Sequence, residues 1–130
     1  MSATYFRSKT HYVDASYIRQ YPHALSAGQE DNLKLAVKQY IPLCNLKPSD
    51  GDVTIIAAHA NGVGKELYEP LWDDLLRASQ ASKQFRIRSI WMADVAWQGE
   101  SGVLNEDKLG DVRKHDYVPM LRVDQADHLI

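Results

Sequence analysis

Only one cysteine, Cys44, occurs in the sequence, so no internal disulfide can brace the chain, and a lone thiol suits a reducing compartment. Positive charge is not in excess either. Fifteen Lys and Arg against 17 Asp and Glu give a net charge of −2, which leaves nucleic acid binding without an electrostatic footprint. No apolar run is long enough for a membrane span, and the opening "MSATYFRSKTHYVDASYIRQYP" lacks the apolar core of a signal peptide. The final "DHLI" matches no retention, peroxisomal or prenylation signal. The histidines His11, His23, His59, His115 and His128 show no zinc-ligand spacing, so neither a metal nor another cofactor is expected. Repeats and low-complexity segments are also missing. These absences leave a cytoplasmic globular chain, and 130 residues suit one ordinary domain better than two.

What is present reads as an α/β sheet. Residues 4–21 are rich in Tyr, Phe, Thr, Val and Ile, which favours strand. Residues 33–41, "LKLAVKQYI", fit both an alternating strand and a helical spacing; strand is favoured, and Pro42 ends either one. Val53–Ala58, "VTIIAA", lies between glycine-bearing turns and reads as a strand buried on both faces. Leu67, Leu71 and Leu75 form one row at helical spacing, and Tyr68, Trp72 and Leu76 form the row beside it. Together they predict a helix with a broad apolar face, and Pro70 fits only its first turn. Residues 85–93, "FRIRSIWMA", complete a strand–helix–strand unit of the length a parallel crossover needs, with the earlier strands as an antiparallel edge. The segment "QGESGVLNEDKLGDVRKHD" is polar, glycine-punctuated and reads as loop.

Sites in such sheets form where the chain leaves the carboxyl ends of the strands. Two such exits can be read: His59–Gly64, "HANGVG", and Asp94–Gly102, "DVAWQGESG". A tight glycine-bearing loop before a helix exposes backbone N–H groups suited to a negatively charged oxygen, although taken alone it is also an ordinary turn that needs glycine. The two loops together resemble the N-terminal part of the α/β-hydrolase fold. There a His-Gly-type loop supplies one oxyanion donor, and the following strand ends in a turn that Asp94, Gly99 and Ser101 match in part. "AAHANGVGKELYEPLWDDL" is similar in particular to fungal serine hydrolases described as toxin-biosynthesis or peroxisomal-lipase-like. The resemblance runs over roughly residues 5–110. It implies an incomplete α/β-hydrolase-like sheet over 1–110, with antiparallel N-terminal strands followed by a parallel βαβ unit, and a divergent tail over 111–130. Two positions depart from the family pattern. Ala60 stands where many members carry glycine, and Val63-Gly64 replaces Phe-Pro.

The resemblance implies an oxyanion loop of His59, Asn61, Gly62 and Val63, with the Asn61 N–H as first choice of donor. It also implies a pocket wall of Asp94, Trp97, Gly99 and Ser101, and a small ester or lipid-like substrate for the full-length relative. His59 is expected to orient the loop by hydrogen bonds. Trp72 and Trp91 read as core, and Cys44 as a small buried residue. The family's nucleophile sits in Gly-x-Ser-x-Gly, and no such motif occurs in these 130 residues. The expectation is therefore a truncated hydrolase-like chain, inactive alone, which keeps the loop but lacks the serine. A non-catalytic binding or interaction module is the alternative. Without the family's next strand, residues 53–58 would become a bare sheet edge, which predicts marginal stability and self-association.

Overall fold

The computed structural model describes residues 4–16, 25, 26, 28 and 31–109. Its elements are β1 (Phe6–Asp14), β2 (Lys34–Pro42), β3 (Val53–Ala58), a 3-10 turn (Lys65–Tyr68), α1 (Glu69–Ser82), β4 (Ile87–Ala93) and α2 (Gly99–Leu104). Among the described residues the sheet has four strands in the order β1-β2-β4-β3. β2 pairs antiparallel with β4, placing Val37 opposite Ala93 and Tyr40 opposite Ile90. β3 pairs parallel with β4, from Thr54 beside Ser89 to Ala58 beside Ala93, after a shift of register between Val53 and Thr54. The expected mixed sheet, with its antiparallel strands and parallel βαβ unit, is borne out, and the segment that fitted both patterns forms the strand β2. No helix among the described residues is long and apolar enough to cross a membrane.

The contacts divide the chain into two units. The first takes residues 1–11 and 36–93 and the second 12–35 and 94–130, of which the described residues are discussed here. In the first unit Phe6, Tyr40, Trp72, Leu76, Ile87, Ile90 and Met92 form the core, with Ile55, Ala57, Tyr68, Leu75 and Phe85 packed against it. Phe6 meets Tyr40 edge to face at 6.2 Å, a geometry that suits the ring quadrupoles. The turn from β2 to β3 is locked by Asn45. Its Nδ2 donates to the Asp52 carboxylate at 2.9 Å and to the Ile87 carbonyl at 3.0 Å, and its Oδ1 accepts from Arg86. The Asn45 amide, helped by the Ser49 N–H, holds the Asp52 carboxyl below its usual value.

Two elements of this unit depart from expectation. β3 is not buried on both faces: Ile56 is 62% exposed, whereas Ile55 and Ala57 turn towards the core. The reason is its place at the sheet edge, where only one face is covered by described residues. The broad apolar face of α1 is also narrower than its spacing suggests. Trp72 and Leu76 are buried, but Leu67 and Leu71 are 72% and 53% exposed. Spacing reports which residues share a face and cannot report whether anything lies against that face. Pro70 does sit in the first turn of α1, where its missing N–H costs no helical hydrogen bond. At the other end Lys83 takes a left-handed conformation (φ 54°), and its N–H closes the helix onto the Ser79 carbonyl.

In the second unit Asn105 acts as a substitute peptide. Its Nδ2 donates to the carbonyls of Lys34 (2.7 Å) and Ala96 (2.9 Å), and its Oδ1 accepts the Lys34 N–H at 2.8 Å. Leu25 bridges to Leu109, and the Ser26 N–H donates to the Lys108 carbonyl. Lys34 pairs with Asp14, and that hydrogen bond lowers the Asp14 carboxyl below its usual value. The segment read as loop contains a short helix, α2, over Gly99–Leu104. Two glycines in six residues conceal it from propensity. The expected divergent tail, 111–130, lies outside the described residues.

The unequal burial of the two rows on α1 gives a contrast in stability. Trp72→Ala removes a buried ring and should cost about 3–5 kcal/mol, whereas Leu71→Ala should stay within about 0.5 kcal/mol. Urea denaturation midpoints of the two variants read the difference.

Candidate functional site

The loop leaving β3 is built around Ala60. The Ala60 N–H donates to the Tyr68 hydroxyl at 2.9 Å, and the Ala60 carbonyl accepts the Val63 N–H at 3.0 Å, closing a turn. The same carbonyl lies 2.9 Å from Nδ1 of His59. A carbonyl only accepts, so Nδ1 of His59 is the donor in this contact. Gly62 takes φ +78°, a conformation that favours glycine, with open space where a Cβ would stand.

Val63 spends its N–H within the turn, whereas the N–H of Asn61, an exposed residue, donates to nothing among the described residues. A trans peptide points its N–H opposite its C=O. Fixing the Ala60 carbonyl from two sides therefore also fixes the direction of the Asn61 N–H.

Below the loop lies an ionic cluster. Lys65 is only 2% exposed, and its Nζ is 3.2 Å from the Glu66 carboxylate. Lys38 on β2 reaches Glu69 at 2.8 Å and Glu66 at 3.7 Å, and the Tyr40 hydroxyl also donates to Glu69. Burial alone would raise the Glu66 carboxyl. Its own backbone N–H and the Lys65 ammonium outweigh that, and the group is held below its usual value.

The loop leaving β4 is organised by Asp94, which is 1% exposed. Its Oδ2 accepts the Glu100 N–H at 3.0 Å, and its carbonyl accepts the Ser101 hydroxyl at 3.2 Å. Gly99 has φ +58°, and a Cβ there would stand 2.6 Å from Asp94 Oδ2. A Cβ on Gly102 would stand 2.8 Å from the Trp97 backbone. Asp94 and the fully buried Ser101 are thus internal braces of the turn. Trp97 and Gly99 instead line a cavity of about 420 Å³, with Gly102, Val103, Glu106 and Leu109.

Elsewhere, Trp72 and Trp91 are buried as read, but Cys44 is exposed and not a buried residue, because it follows Pro42 in the open turn after β2. Among the described residues no group of three or more His, Cys, Asp or Glu side chains could hold a metal ion. The sequence reading missed Tyr68 and Lys65. Sequence spacing places Tyr68 only in an apolar row, although a tyrosine at the first turn of that row can turn its hydroxyl to the loop eight residues earlier. Nothing in the pattern marks Lys65 as buried.

Comparison with known proteins agrees with this architecture. No protein-family profile matches the chain. Over 109 residues, 84% of the chain, it is 52% identical to the type I acyl-CoA thioesterase mpaH' of Penicillium brevicompactum and 50% identical to mpaH of the same species. It is 49% identical to the type I acyl-CoA thioesterase mpaH of Penicillium roqueforti. The chain spans about a quarter, 24%, of the length of these curated relatives. Among solved structures, the peroxisomal alpha-beta-hydrolase Lpx1 of Saccharomyces cerevisiae superposes with a TM-score of 0.62 at 23% identity, over 82% of this chain and 28% of that one. The fold is thus an incomplete α/β-hydrolase fold. The resemblance read from the two loops, to fungal members of that fold, is borne out.

The two glycines with positive φ should respond differently to alanine. Gly62→Ala meets only torsional strain and should cost about 1–2 kcal/mol. Gly99→Ala adds a collision with the Asp94 carboxylate, and overpacking of that kind costs about 1–3 kcal/mol more. Thermal unfolding of both variants orders the two costs.

Proposed function

We propose that the chain carries the oxyanion-loop segment of an acyl hydrolase acting on a small acyl ester or thioester, whose serine nucleophile lies outside these 130 residues. The observation that carries this reading is the N–H of Asn61, an exposed residue, aimed by the two bonds on the Ala60 carbonyl and donating to nothing among the described residues. A donor held in place in advance stabilises charge that develops on a carbonyl oxygen during acyl transfer, because no reorganisation is needed at the moment of reaction. Asn61 is the donor in this reading, while Gly62 and Val63 form the turn and His59 orients it. For the second loop the reading assigns the substrate wall to Trp97 and Gly99, with Asp94 and Ser101 bracing it from inside. The acyl-CoA thioesterase relatives support the thioester arm. Residues 1–110 are the hydrolase-like part of the chain, and the absence of Gly-x-Ser-x-Gly makes the chain inactive by itself. The lone Cys44 suits a cytoplasmic setting.

Two measurements test the proposal. A serine-directed fluorophosphonate should leave the purified chain unlabelled, and stoichiometric labelling would overturn it. Reading the transcript beyond the codon for Leu109 in all three frames should reveal a Gly-x-Ser-x-Gly within a few dozen codons.

A second reading is favoured by the β3 edge, an uncharged strand with Ile56 62% exposed. Unguarded edges of this kind pair with other strands. In this reading the chain is a non-catalytic interaction module that self-associates through β3. Light scattering should then show a defined dimer that Ile56→Lys abolishes, and a wild-type monomer at all concentrations excludes it.

A further inference from the structure

We infer that Tyr68 is a positioning residue for the loop, fixing through its hydroxyl the peptide from which the Asn61 donor is aimed. This rests on the oxyanion-loop reading above. Two peptide planes meet at Ala60. The plane on the Asn61 side is held by its carbonyl, which accepts from Val63 and His59. The plane on the His59 side is held by the Ala60 N–H, and its partner is the Tyr68 hydroxyl at 2.9 Å. If that bond is released, Ala60 can rotate, and the turn closed on its carbonyl carries the Asn61 N–H with it.

Tyr68 is well placed for this task. It stands at the junction of the 3-10 turn and α1, half-buried, with its ring stacked on Trp72 at 6.2 Å and 22°. Trp72 is 5% exposed and belongs to the core with Tyr40, Ile90 and Met92. A hydroxyl on a ring that cannot swing freely therefore ties the loop to the core. The side chain of Ala60 acts in the same direction. A Cβ there narrows the backbone angles available to the loop, and an added hydrogen bond selects among those that remain.

The test is residue-resolved amide hydrogen exchange by NMR on the full 130-residue chain. In the wild type the Ala60 amide should exchange about tenfold more slowly than the Asn61 amide, the protection one net hydrogen bond provides. Tyr68→Phe keeps the ring and its stacking but removes the acceptor. Ala60 should then exchange as fast as Asn61, while the amides of Trp72 and Leu76 keep their rates and the Asn61 amide resonance shifts. An Ala60 amide in the wild type that exchanges as fast as Asn61 overturns the inference, even if the variant fails to fold. Equal acceleration of every amide in Tyr68→Phe also overturns it, because Tyr68 would then act on global stability alone. The readout involves no acyl chemistry. Fluorophosphonate labelling can therefore sink the hydrolase reading while the exchange result stands, and the converse holds too.

Discussion

A parallel pair of strands cannot be closed by a tight turn, and that constraint shapes the rest of the first unit. β3 and β4 run parallel, so the chain must climb back from Ala58 to Ile87 through a crossover. The crossover is the loop at His59, the 3-10 turn and α1, and α1 can be stable only if its face finds the sheet. Trp72 and Leu76 meet that requirement by packing with Ile90 and Met92 of β4. Once α1 is docked, Tyr68 at its start is fixed, and the loop that precedes it hangs from a fixed point. The geometry around Ala60 is thus a late consequence of strand direction.

The second unit solves a similar problem with polar groups. Asp94 and Asn105 are both 1% exposed and satisfy backbone donors and acceptors that a short helix and an irregular segment leave open. Buried side chains that mimic a peptide suit segments too short to form their own ladder. The glycines at 99 and 102 belong to the same arrangement, because each lets a neighbour approach to a distance that a Cβ would forbid.

Much of the fold was legible in the sequence, because hydrophobic period and turn chemistry are local signals. The strand at 34–42, the strand at 53–58, Pro70 in the first turn of α1 and the parallel return at 87–93 all follow from such signals. What failed was burial, which depends on neighbours. Ile56 reads like Ile55 in the sequence, yet one meets solvent and the other the core. Leu71 reads like Trp72 for the same reason. At the loop, His59 and Asn61 could be picked out by their place at a strand end. Tyr68 could not, because its hydroxyl gains meaning only when the helix brings it back over Ala60. Ser101 shows the reverse case: a serine between glycines looks available, but it is fully buried and donates to Asp94.

Lys65 has a consequence for how the loop comes into being. Its ammonium must shed its water before the segment can settle, and desolvating a charge is costly unless partners are already waiting. Its partner Glu66 belongs to the crossover and is joined in turn to Lys38 of β2, which also holds Glu69. The loop is therefore assembled in step with the sheet and helix that surround it. Its length is not a free variable, since it must span from the end of β3 to the 3-10 turn while Lys65 stays buried beside Glu66.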